Sequence, residues 1–237
     1  MTNVPTYDPL LAFGSAGALM AVHLLAAKWA PPAHFGRAAE SCAGGVAVAY
    51  VFAHLLPMLA HLGRSEDYYS LEILFGGALA GTCLYLAVDR LEDGAKASRA
   101  WLSFAARITA FAAYNLVLGI FLTTNPPATL VAHFVVLVAL SMHFVVVDRH
   151  LRSCHTHAYD RLGRWVVAPS ILVGAIIGSL QVFPFWLHEF FFALLAGGMI
   201  LNVLRQEIPQ TGNGQLLPFT AGAALFGALF VFSSMSY

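Results

Sequence analysis

The chain has 237 residues, of which 59% are apolar and only 10% charged. A soluble globular domain carries roughly 25% charged residues, so this composition excludes one and predicts an all-α polytopic membrane protein of a single domain, in contact with the lipid bilayer. Twelve basic and twelve acidic residues cancel, and the lack of a basic arm excludes nucleic acid as a partner.

A helix rises about 1.5 Å per residue and needs roughly 20 apolar residues to cross a bilayer. Eight stretches meet that need in chain order: residues 10–27, 42–59, 71–88, 101–123, 129–147, 165–183, 185–204 and 216–233. Residues 1–9 hold no Lys or Arg ahead of the first span, so a cleaved signal peptide is not expected. Pro31-Pro32, Asn125-Pro126-Pro127, Pro184 and Thr211-Gly212-Asn213-Gly214 punctuate the gaps. The short link Phe183-Pro184-Phe185 predicts a tight hairpin between the sixth and seventh spans. Cys42, Cys83 and Cys154 are too few for a disulfide framework.

Basic residues fix the expected orientation. Lys28, Arg37, Arg90, Lys96, Arg99, Arg149, Arg152, Arg161, Arg164 and Arg205 fall in odd-numbered loops, and Arg107 can snorkel to the same side; only Arg64 lies opposite. The positive-inside rule then places both termini outside a cytoplasmic (inner) membrane, and the compact loops suit a bacterial protein. The second and seventh spans also echo one another. Ala43-Gly44-Gly45 leads to Pro57, and Ala196-Gly197-Gly198 leads to Pro209 at nearly the same spacing. Since those spans run in opposite directions, the echo predicts an inverted repeat, an architecture that places sites near the midplane.

Ionisable groups are expensive in hydrocarbon and are functional candidates for that reason. His54, His133, His143, Asp148, His188, Glu189 and Glu207 all lie in or at the ends of spans, and Asn115 follows Tyr114 in the fourth. Imidazole, carboxylate and amide oxygen suit a divalent transition metal. Asn115 and His143, deep in consecutive spans, are the expected core pair. Beyond them, His143, His150, Cys154 and His157 would share one narrow stripe if the fifth helix continued past the membrane. His155 and Asp160 lie in the same segment, and together they form a second candidate metal site. The competing account of each group is an ordinary interhelical hydrogen bond or headgroup contact. No nucleophile motif, haem attachment motif or HExxH is present, so no enzyme activity is expected.

The run Gly44-Gly45-Val46-Ala47-Val48-Ala49-Tyr50-Val51-Phe52-Ala53-His54-Leu55-Leu56-Pro57 resembles the second helix of the ZIP (Zrt/Irt-like) metal transporters. Ala196-Gly197-Gly198 with Glu207-Ile208-Pro209 is similar to their seventh helix, and Leu84 to Leu91 to the exit from their third. The resemblance implies eight helices in a 3+2+3 inverted-repeat arrangement, termini outside, a homodimer, and zinc or a similar divalent cation as cargo. The chain departs from the family in its metal core. The family's His-Asn-x-x-Asp-Gly is Tyr114-Asn115-Leu116-Val117-Leu118-Gly119 here, and Val147 replaces the glutamate expected four residues after His143, with Asp148 one place later. Two functions are therefore expected in competition. One is a carrier using His54, His133, His188 and Glu189 outside, Asn115 and His143 centrally, and Asp148 with His150, Cys154 and His157 inside. The other keeps the fold as a receptor, sensor, interaction subunit or carrier of a non-metal ligand, with an apolar cavity lined by Tyr114, Leu118 and Val147.

Overall fold

A computed structural model describes residues 9–26, 33–63, 69–93, 100–127, 129–208 and 215–234. These are helical almost throughout, and eight helices are long and apolar enough to cross a membrane. Helix α1 is Pro9–Ala26. Helix α2 runs as Ala33–Tyr50, a π-helical turn at Val51–Leu55, and Leu56–Leu62. Helices α3, α4 and α5 are Leu71–Asp93, Ala100–Thr124 and Leu130–Cys154. Helix α6 is assembled from Thr156–Ala158, a π turn at Tyr159–Gly163, and Arg164–Ser179. Helices α7 and α8 are Phe185–Gln206 and Leu216–Ser234.

Several helix ends differ from the sequence-based expectation, each for a local reason. The fifth helix was expected to stop at residue 147 but continues to Cys154. Its polar end is neutralised by partners, with Asp148 buried and Arg152 holding Asp160 at 2.9 Å. The second helix passes through Pro57 without stopping. A π turn just ahead of the proline accommodates the hydrogen bond its missing N–H cannot make. Helix α6 ends at Ser179, and Gln181 takes a left-handed φ of 49° before Pro184 starts α7. The two helices beside this turn do not pack as a hairpin: α6 lies on α4 and α1, whereas α7 lies on α3.

Contacts divide the helices into two groups. In the first, α1 touches α4, α5 and α6, and α4 packs along α6; in the second, α2 packs along α8, α3 along α7, and α2 also meets α7. The groups meet where α2 and α8 contact α5 and where α4 contacts α3 and α7. The three longest pairings are parallel. A Cβ on Gly119 of α4 would overlap the carbonyl of Ile171 in α6, and one on Gly174 would overlap the carbonyl of Leu116 in return. Gly81 and Gly197 do the same between α3 and α7, and Gly45 and Gly222 between α2 and α8. Lipid tails are as apolar as leucine, so membrane helices associate through such close backbone packing rather than through hydrophobic burial. Helices α3 and α8 keep most of their apolar surface exposed, as lipid-facing helices do.

Helices α4 and α5 meet through side chains such as Tyr114 and Phe144 without a close backbone approach, and Asn115 bonds His23 rather than His143, contrary to the expected pairing. Helix α1 contacts both, and that placement decides the geometry of the site.

Candidate functional site

His23 of α1 reaches both neighbours. Its Nδ1 is 2.7 Å from Asp148 Oδ2 on α5, and its Nε2 is 3.0 Å from Asn115 Oδ1 on α4. Asn115 donates its amide N–H to the carbonyl of Phe111 at 3.0 Å, which turns its oxygen toward the ring. Both imidazole nitrogens therefore have an oxygen within hydrogen-bond distance, and the ring bridges a carboxylate and an amide. Tyr159 of α6 donates its hydroxyl to Asp148 Oδ1 at 2.5 Å. All four side chains are buried, with Asn115, Asp148 and Tyr159 wholly inaccessible. The network lies entirely within the α1/α4/α5/α6 group.

A second imidazole–carboxylate pair sits at the seam between the groups. His143 of α5 bonds through Nδ1 to Oε1 of Glu207, the residue capping α7. Glu207 is buried, and its Oε2 has no hydrogen-bond partner among the described residues. The small face at Gly44 lets α2 pack directly on the Glu207 backbone carbonyl. Burial holds the Glu207 carboxyl above the usual carboxylate range, while His143 pulls the other way. The ring of Phe144 stacks on His23 at 4.2 Å and lies 6.0 Å from His143, so it separates the two pairs. Tyr114 completes this wall, 6.4 Å from Phe144, with its hydroxyl on Met199 Sδ at 3.1 Å.

A carboxyl whose folded pKa is raised favours folding when protonated. Its contribution is present at pH below the ordinary carboxylate value and is lost as pH rises through the folded pKa. Glu207→Gln is therefore expected to flatten the pH dependence of the melting temperature, and to raise that temperature relative to the parent at neutral pH. An unchanged profile would mean that His143 fully offsets the burial.

The other expected residues are spread out. His133 pairs with Ser15 Oγ at 2.6 Å near the start of α1 and α5. His54 lies in the π turn of α2, its ring against Tyr50 and Phe230 at 5.3 and 5.5 Å. His188 and Glu189 are both buried at the start of α7, and the two ring nitrogens of His188 have no hydrogen-bond partner among the described residues. The stripe toward His157 is broken at His155, where the backbone leaves the helix at φ −143°, ψ 60°. Within it, His150 accepts from Arg107 at 3.3 Å and stands 4.0 Å from Cys154 Sγ. Among the described residues no three His, Cys, Asp or Glu side chains stand together as a metal-holding group. Leu118 and Val147 are packed in the core rather than lining a cavity.

Arg107 does not snorkel: it is buried and bonds Asp89 of α3 at 2.8 Å, and Asp89 also holds Arg205 of α7. With Arg149 of α5 on Glu40 of α2 at 2.9 Å, these ion pairs tie the groups together at the end carrying the basic loops. At the level of Phe121 and Phe192 the same seam is apolar, with the two rings stacked at 4.0 Å. No protein-family model matches this chain and no curated protein matches it, so its functional reading rests on this geometry.

Proposed function

We propose that the protein is a carrier of a divalent transition-metal cation such as zinc, a divergent relative of the ZIP transporters, in a conformation closed to both sides. The observation that carries the reading is the buried, unpartnered Oε2 of Glu207 beside His143, at the boundary of two helix groups. A buried polar atom left unsatisfied requires an explanation, and a carboxylate oxygen next to an imidazole offers an anionic and a neutral donor to a borderline cation. His23, Asn115 and Asp148 supply a second donor set on the far side of Phe144. Cargo would displace protons from the imidazoles, and a shift of one group against the other would part His143 from Glu207 while leaving the His23 network intact.

The inverted repeat is part of this reading, and the pattern of contacts supports it. Exchanging α1 with α6, α2 with α7, α3 with α8 and α4 with α5 turns α2–α8 into α7–α3, α2–α5 into α7–α4, α3–α4 into α8–α5, and α1–α5 into α6–α4, all of which are observed. Gly45 and Gly197, which play matching packing roles, are each followed by proline twelve residues later. The basic-loop count separately supports termini outside the cytoplasmic membrane.

In proteoliposomes loaded with a zinc indicator, His143→Ala and Glu207→Gln are expected to reduce Zn2+ uptake by roughly tenfold or more, the scale of losing a metal-site group. Parental uptake in both variants would eliminate this route. The alternative, a receptor or carrier of a non-metal ligand, is favoured by the absence of a metal-ready triad among the described residues. A crystal soaked in Cd2+ with no anomalous peak near Glu207 would support it.

A further inference from the structure

An apolar cleft of about 280 Å3 opens between α3, α4 and α7, separated from the polar networks by Tyr114. Its walls are residues 81–88 of α3, 110–117 of α4 and 191–198 of α7, and include Leu84, Val88, Ala113, Val117 and Leu194. Each wall is two helical turns, about 10 Å at 1.5 Å per residue, and α3 and α7 run parallel, so the cleft is elongated along the helix axes. In a membrane that is the direction of an acyl chain. The two tyrosines at its edge turn their hydroxyls into the protein, Tyr85 to Asn202 at 2.5 Å and Tyr114 to Met199, leaving ring faces toward the cleft.

The charge at one mouth indicates the kind of lipid. One residue beyond Val88 is Asp89, one turn before Ala110 is Arg107, and two turns beyond Gly198 is Arg205; the two arginines share that single carboxylate. In sequence, residues 89–99 carry the three acids Asp89, Glu92 and Asp93 and the three basic residues Arg90, Lys96 and Arg99. With Arg107 and Arg205 the basic residues of this end outnumber the acidic ones by two in sequence, and the exposed edge of Arg205 can meet a phosphate at the membrane surface.

We infer that this cleft binds one acyl chain of an anionic phospholipid, with its phosphate at the Arg205 end. The site spans both helix groups, since α4 belongs to one and α3 and α7 to the other, so the lipid would hold the seam from the side opposite α5.

Native mass spectrometry of the delipidated full-length protein with phosphatidylglycerol or phosphatidylcholine of identical chains tests the assignment. Phosphatidylglycerol is expected to bind about fivefold more tightly, the scale of one basic residue near a membrane surface. Ala113→Phe, which fills the cleft from an exposed position, should abolish that bound lipid. Arg205→Gln should equalise the two lipids while retaining a bound chain. A photoreactive acyl chain on phosphatidylglycerol provides a readout in the parent protein, with adducts expected on residues 81–88, 110–117 and 191–198. Equal affinity for the two lipids, undiminished binding in Ala113→Phe, or adducts only on other helices would each overturn the inference.

Discussion

Asp148→Ala is expected to destabilise the protein by about 3 kcal/mol or more, the cost of stripping the shared acceptor from two buried donors at about 1–3 kcal/mol each. The carboxylate accepts from His23 and from the Tyr159 hydroxyl, and no solvent reaches either donor. Alanine would leave a buried imidazole and a buried phenol without their acceptor and open a cavity between α1, α5 and α6. Asp148→Asn keeps an oxygen for Tyr159 but removes the negative charge, so a smaller loss of about 1–3 kcal/mol is expected. The comparison, by denaturant or thermal unfolding in detergent, separates shape from charge. A loss below about 1 kcal/mol for the alanine variant would show that the network contributes nothing beyond an ordinary hydrogen bond.

Gly174→Val should be comparably severe for a different reason. The new side chain would enter the space occupied by the Leu116 backbone carbonyl, and backbone within a helix cannot step aside as a side-chain tip can. Helices α4 and α6 would have to separate along their whole parallel contact, at a cost of about 3 kcal/mol or more for an overpacked site. Gly17→Ala and Gly76→Ala are the controls. An added Cβ at either meets nothing within 4 Å, and replacing a mid-helix glycine by alanine favours a helix by up to about 1 kcal/mol. If Gly174→Val melts at the parental temperature, the close approach of the two helices is not what holds them.

The spans were legible because hydropathy over eighteen or more residues is a strong local signal, and the depth of Asn115 and His143 followed from their place within the spans, whereas the burial of Asp148 and Glu207, expected at helix ends, did not. The partners were not legible. His143 and Glu207 are 64 residues apart and His23 and Asp148 are 125 apart, and no local pattern encodes which helix lies between which. Pairing Asn115 with His143 assumed that consecutive helices pack closely, whereas His23 of α1 is the residue that reaches Asn115. His23 itself was passed over inside the first apolar stretch, although the rule that singled out His133 and His143 applies to it equally. Tyr159 was hidden by its neighbours Arg161 and Arg164, which mark the segment as a loop; a π turn buries it all the same. The break at His155 is a backbone event with no glycine or proline to announce it, so the stripe was drawn too far.

The parallel pairing of distant helices has a consequence for biogenesis. As the chain leaves the ribosome, α2 emerges long before α8, α3 before α7, and α4 before α6, so each glycine-lined surface waits in the bilayer for a mate made later. His23 is in the same position until α5 delivers Asp148. A nascent chain stopped before its fifth helix therefore holds open sticky faces and an unmatched imidazole in the lipid. Quality-control proteases would have a physical basis for telling such a fragment from the finished protein.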